Sequence, residues 1–168
     1  MSLAITRTTV ALIVLAIASA GTTQNAYRGA RYYSYLPPKG FNRIDPPADF
    51  LEAYQAAPQD NYWPSIAVRE QETSGLKAPE LADLFLYAFK NGAKGVVSAE
   101  KKSYSVKGKR EYYVTSQYKT PGKKQQTQIH AIFERGGRAI VILFVRQNNH
   151  PKALDEAFQK SLASFRWL

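Results

Sequence analysis

Seven consecutive apolar residues, Ala139 to Val145 (AIVILFV), stand between Arg138 and Arg146. A half-buried strand alternates apolar and polar residues, because successive side chains leave opposite faces. A run without alternation has no face to offer solvent. It reads as a central strand covered on both sides of its sheet. The residues before it supply the neighbours. Val96–Val106, Glu111–Tyr118 and Gln125–Glu134 each read as a strand, and Tyr112, Val114 and Tyr118 fall on one face of the second. Lys107-Gly108-Lys109, Thr120-Pro121-Gly122 and Gly136-Gly137 punctuate them as turns. Residues 95–146 are therefore expected to form a four-strand antiparallel meander.

Two helices flank it. Pro79–Lys90 carries Leu81, Leu84, Phe85 and Ala88 on one stripe, with Pro79 and Glu80 suited to its start and Asn91-Gly92 to its end. A second helix begins near Pro151 and presents Leu154, Ala157, Phe158, Leu162 and Phe165, followed by a hydrophobic tail at Trp167 and Leu168. Upstream, Arg31–Leu36 reads as an aromatic strand with Phe41–Ile44 as its return partner, and Ser65–Gln71 as another strand. Between them Pro46, Pro47, Pro58 and Pro64 mark a loop with a short helix over Ala48–Ala56. Strands grouped together with helices at either side argue for an α+β domain: an antiparallel sheet, the meander plus N-terminal strands, with helices packed on its faces.

The order of these segments resembles a known family. LPPKGF closes an aromatic strand, EYYVTSQY is tyrosine-rich, and TQIHAIFE bears a histidine. RGGRAIVILFV turns into an apolar strand, and FQKSLASF closes the chain. Together, over roughly residues 31–168, they resemble the PsbP-like fold, shared by a photosystem II extrinsic subunit, a Ran-binding nuclear import factor and bacterial envelope proteins related to DcrB. The resemblance implies a sheet with helices on its faces and a protein that acts by binding other proteins rather than by catalysis. It carries over no functional residue.

The N-terminus reads as an export signal. Arg7 precedes an apolar core at Val10–Ile17, and Ala18-Ser19-Ala20 is a small-x-small cleavage pattern before Gly21. The alternative, an uncleaved membrane anchor, would need about 20 apolar residues. Cleavage near Ala20 would leave a leader at 21–30 and one domain at 31–168, periplasmic or extracellular. With no cysteine the chain can be neither lipidated on a thiol nor disulfide-stapled, so its core must hold it together.

The formal charge is +10, from 23 Lys and Arg against 13 Asp and Glu, and losing Arg7 lowers it by one. Such a charge attracts anions at long range, and salt screens that attraction. Envelope candidates are phospholipid headgroups, acidic polysaccharide or an acidic protein; the export signal argues against nucleic acid. In a meander the first and third turns share one end, roughly 10 Å apart from the strand spacing. That brings together Lys107, Lys109, Arg110, Arg135 and Arg138 as an anion-binding candidate, partly offset by Glu111 and Glu134. Lys119, Lys123 and Lys124 form a separate tip at the other end. Charged hairpin tips also serve plain solubility.

Catalytic equipment is sparse. His130 and His150 are the only histidines, and neither comes with convergent partners for a metal or a general base. No G-x-S-x-G elbow surrounds a serine, and helix capping or exposure explains Ser161 and Ser164. Asp45, Asp49, Asp60 and Glu52 are the one acidic group that could support glycoside hydrolysis. The eleven tyrosines fit strands better than a stacking platform. The reading is a non-enzymatic envelope domain, with no metal or cofactor, that binds another envelope protein as an accessory or assembly factor. The alternative is an electrostatic binder of anionic polymer or membrane surface through the basic hairpin tips.

Overall fold

A computed structural model describes residues 32–58, 62–106, 109–119 and 124–168, with Val106, Lys109 and Arg110 described in backbone only. The segment read as a signal peptide, its expected cleavage site and the expected leader lie outside the described residues, as do Lys107-Gly108 and the whole of the Thr120-Pro121-Gly122 turn.

The meander is present as β5 (Val96–Val106), β6 (Lys109–Tyr118), β7 (Gln126–Arg135) and β8 (Arg138–Gln147). All four pair antiparallel in sequence order. Gly136 and Gly137 both take positive φ, 61° and 86°, which a tight hairpin between twisted strands requires. β8 is buried from Ala139 through Val145, as its composition dictates. It is central because β4 (Ser65–Glu72) pairs along its other edge, from Ser65 opposite Val145 to Glu72 opposite Arg138. The full sheet has seven strands in the order β2-β3-β4-β8-β7-β6-β5.

Each face of this sheet has its own helix. On one side α1 (Ala78–Asn91) sets Leu81, Ala82, Phe85 and Phe89 against Val114, Tyr118, Ile132, Ala139 and Val141. On the other, α2 (Lys152–Leu162) sets Phe158 and Leu162, with Phe165 beyond it, against Ile129, Ala131, Phe133, Ile140, Ile142 and Phe144. Alternate residues of β8 thus feed two separate cores. The structure is α+β, as the grouping of strands and helices implies.

Three expectations are corrected. Ala48–Ala56 is not helical: Asp49 takes a left-handed φ of 71°, and Glu52–Ala56 is strand β3 between β2 and β4. Leu, Glu, Ala and Gln favour helix only weakly, and pairing on both sides outweighs that preference. Phe41–Ile44 is strand β2, but it pairs with β3 and not with the aromatic strand before it. That strand shortens to β1 (Tyr33–Ser34) and pairs with β9 (Arg166–Trp167) in a separate two-stranded sheet. The C-terminal tail is therefore a strand, with Trp167 stacked on Tyr32 and Leu168 donating its amide to the Tyr32 carbonyl.

Candidate functional site

The strand order determines which charges share an end of the molecule. Arg135 and Arg138 face each other across the β7–β8 hairpin. The β6–β7 ladder ends with Tyr112 opposite Ile132, and Lys109 of β6 and Arg135 of β7 each lie three residues beyond that pair at the same end of the sheet. Lys107 lies outside the described residues, and the side chains of Lys109 and Arg110 are not described.

Around the two arginines whose side chains are described, the end of the sheet is rich in acids. β4 finishes there, with Glu72 opposite Arg138. Arg138 lies 3.6 Å from Glu70, and its guanidinium sits 5.3 Å from the Tyr32 ring centre. Tyr32 donates its hydroxyl to the same Glu70 carboxylate, and burial together with that carboxylate pushes the phenol up to about 12. Arg135 reaches the main-chain oxygen of Leu168 at 3.4 Å, and Lys77 lies 3.5 Å from Glu134. Sequence reasoning counted Glu111 and Glu134 but missed Glu70 and Glu72. They come from a distant segment, and nothing in the sequence places β4 beside β8. At the opposite end, Lys119 and Lys124 flank undescribed residues that include Lys123.

The acidic group of the loop disperses. Glu52 is buried and accepts hydrogen bonds from Tyr33, at 2.8 Å, and from Tyr54. Asp45 and Asp49 are exposed, and Asp49 acts on Arg69, whose guanidinium lies under α1 at 5.5 Å from the Phe85 ring centre. Asp60 lies outside the described residues. Ser161 and Ser164 also have structural work. Ser161 Oγ donates to the Leu36 carbonyl and Ser164 Oγ accepts from the Leu36 amide at 2.9 Å, tying the segment after β1 to the end of α2.

The histidines separate in the same way. His130 is buried beneath α1, with ring centres 5.5 Å from Phe85 and 4.9 Å from Phe89. Neither ring nitrogen has a hydrogen-bond partner, and burial, with Arg69 second, drives its pKa down to about 3. A neutral imidazole wedged between phenylalanines is a packing group. His150 lies 3.1 Å from Asp155, which also receives a two-pronged bond from Arg146 at 2.8 and 3.0 Å. Among the described residues no group of three or more His, Cys, Asp or Glu could hold a metal ion.

Tyrosines fill the sheet's α2 face. Tyr33, Tyr35 and Tyr54 are buried there, and Tyr104 packs on Tyr113 at 5.3 Å. The hydroxyl of Tyr104 is buried without a hydrogen-bond partner, and burial pushes both Tyr35 and Tyr104 well above the usual phenol range. These rings are core, as the strand reading of the tyrosines implies.

No helix among the described residues is long and apolar enough to cross a membrane. No family model matches the chain, and no curated protein does. Solved structures do. LpqN of Mycobacterium tuberculosis, involved in cell envelope biogenesis, is similar at a TM-score of 0.58 and 12% identity over 79% of this chain and 81% of its own. The cyanobacterial PsbP of Synechocystis sp. PCC 6803 is similar at 0.53 and 14% identity, over 82% and 87%. A protein from Bacteroides thetaiotaomicron is similar at 0.53 and 9% identity over 82% of this chain, which spans 45% of that one.

Proposed function

We propose that this chain, whose fold is PsbP-like, is an exported accessory or assembly factor of the cell envelope that works by binding another envelope protein. The observation that carries the reading is the likeness, over most of both chains, to a protein involved in cell envelope biogenesis. The described residues support it from the other direction. Glu52 is tied to Tyr33 and Tyr54, His130 is locked in a core, and Ser161 and Ser164 hold backbone, so these groups have structural roles.

Affinity capture from envelope extract, washed at low and then high salt, tests this reading. A discrete protein retained through high salt is the expected result, since apolar contacts are not screened. Turnover of a substrate in a broad hydrolase screen would overturn it.

The second reading, an electrostatic binder of anionic polymer or lipid headgroups, rests on the high net charge and on Lys107, Lys109, Arg110, Arg135 and Arg138. Glu70, Glu72 and Glu134 beside the two arginines weigh against a bare cationic surface there. Binding to anionic vesicles that falls steeply with salt and is abolished by neutralising those five residues would favour this alternative.

A further inference from the structure

The outermost strand of the sheet, β5, is eleven residues long and pairs only with β6 among the described residues. An edge of that length presents a row of unpaired amides and carbonyls, a template for another strand. The opposite edge, β2, has four residues.

Two features restrict what β5 can accept. A bulge between Val96 and Ser98 interrupts the regular ladder at one end and leaves the extra residue, Val97, half exposed. The middle carries Glu100, Lys101 and Lys102, and lysines at an edge repel indiscriminate pairing. Glu100 and Lys102 project on the α2 face and lie 2.5 Å apart. Lys101 projects on the α1 face, where Asp83 of α1 holds it in an ion pair.

This pattern is its own complement. A second β5 laid antiparallel about a two-fold axis through Lys101 sets Glu100 opposite Lys102 of the other copy, and Lys102 opposite Glu100. The result is a square of alternating charge in place of two separate pairs. The two Lys101 residues meet at the axis, each bringing Asp83 as its counter-charge. Ser98 and Tyr104 bound the symmetric stretch, so the bulge falls just outside it. Side chains directly opposite on antiparallel strands must point to the same face, and a two-fold perpendicular to the sheet satisfies this. We infer that β5 is a homodimerisation edge, joining two seven-stranded sheets into one through the self-complementary Glu100-Lys101-Lys102 segment.

The inference is independent of the partner-binding reading, because its test needs no partner. Protein expressed from the full sequence is purified and its mass followed by sedimentation over a concentration series. Dimer is expected. Glu100→Lys and Lys102→Glu each place like charges opposite one another, so each alone should weaken dimerisation at least tenfold. These side chains are about half exposed, and circular dichroism checks that both variants fold. Mixing the two single variants restores opposite-charge pairs and should regenerate a heterodimer, and combining both substitutions in one chain should restore the homodimer. A wild-type chain that stays monomeric, whether its edge is open or covered by its own residues 1–31, overturns the inference. Dimerisation unaffected by the single substitutions, or no heterodimer on mixing, overturns it equally.

Discussion

His130 and Glu52 show how one buried polar side chain can be a cost and another a tie. His130 is neutral in the fold, with a pKa near 3 against an ordinary 6.5. The unfolded chain therefore binds the proton first. Its contribution to stability is complete above pH 6.5 and is lost as pH falls toward 3, at up to about 1.4 kcal/mol per pH unit. His130→Leu removes two unpartnered nitrogens at similar volume. We expect a gain of about 1 kcal/mol at neutral pH, widening below pH 6.5, from denaturant unfolding of both proteins across that range. Glu52 has the opposite character, since Tyr33 and Tyr54 both donate to it. Glu52→Ala removes the acceptor to which both phenols donate and should cost about 3 kcal/mol, whereas Glu52→Gln, which still accepts, should cost less. A chemical denaturation series ranks the two.

At the level of elements, each helix closes one side of β8. Phe89 is buried between Tyr118 and His130, so Phe89→Ala opens a cavity under α1 and should lower stability by about 3–5 kcal/mol. Because α2 packs on the other face, the α1 and α2 cores fall in separate places, but both depend on β8. Amide exchange in β8 should accordingly require global unfolding, while the exposed end of α1 near Asn91 exchanges by local fraying. Equal protection at the two places would contradict this ordering. The apolar run of β8 and the alternation of β6 were legible in the sequence, because each burial pattern is periodic within its own segment. The α1 stripe was legible only in part, since Leu81 and Phe85 are buried as expected but Ala82 and Phe89 complete the face and Leu84 is exposed. Strand β3 was not. LEAYQAA has helix-favouring composition, and only β2 and β4 on either side make it extended.

The whole molecule should be limited in alkali as well as in acid. Tyr62 is pushed up to about 12 by burial, and Tyr35 and Tyr104 go higher for the same reason. In the unfolded chain these phenols ionise near 10, so the folded state holds more protons above that pH and stability falls as pH rises through it. An ultraviolet titration of tyrosine should show these groups ionising only when circular dichroism reports unfolding. Early, reversible ionisation of all eleven tyrosines would contradict the burial.

The same distinction between local and distant information runs through the fold and the candidate surface. The sequence by itself determined the meander, both helices, the two-sided cover of β8 and the family resemblance, since each rests on residues close together in the chain. Only the tertiary structure decided that β1 pairs with the C-terminus, that Phe41–Ile44 turns to β3, and that Glu70 and Glu72 arrive beside Arg138. It also decided that β5 is the edge whose charges answer one another. Periodicity within a segment records which face is buried, but carries no record of which remote strand will come to lie beside it.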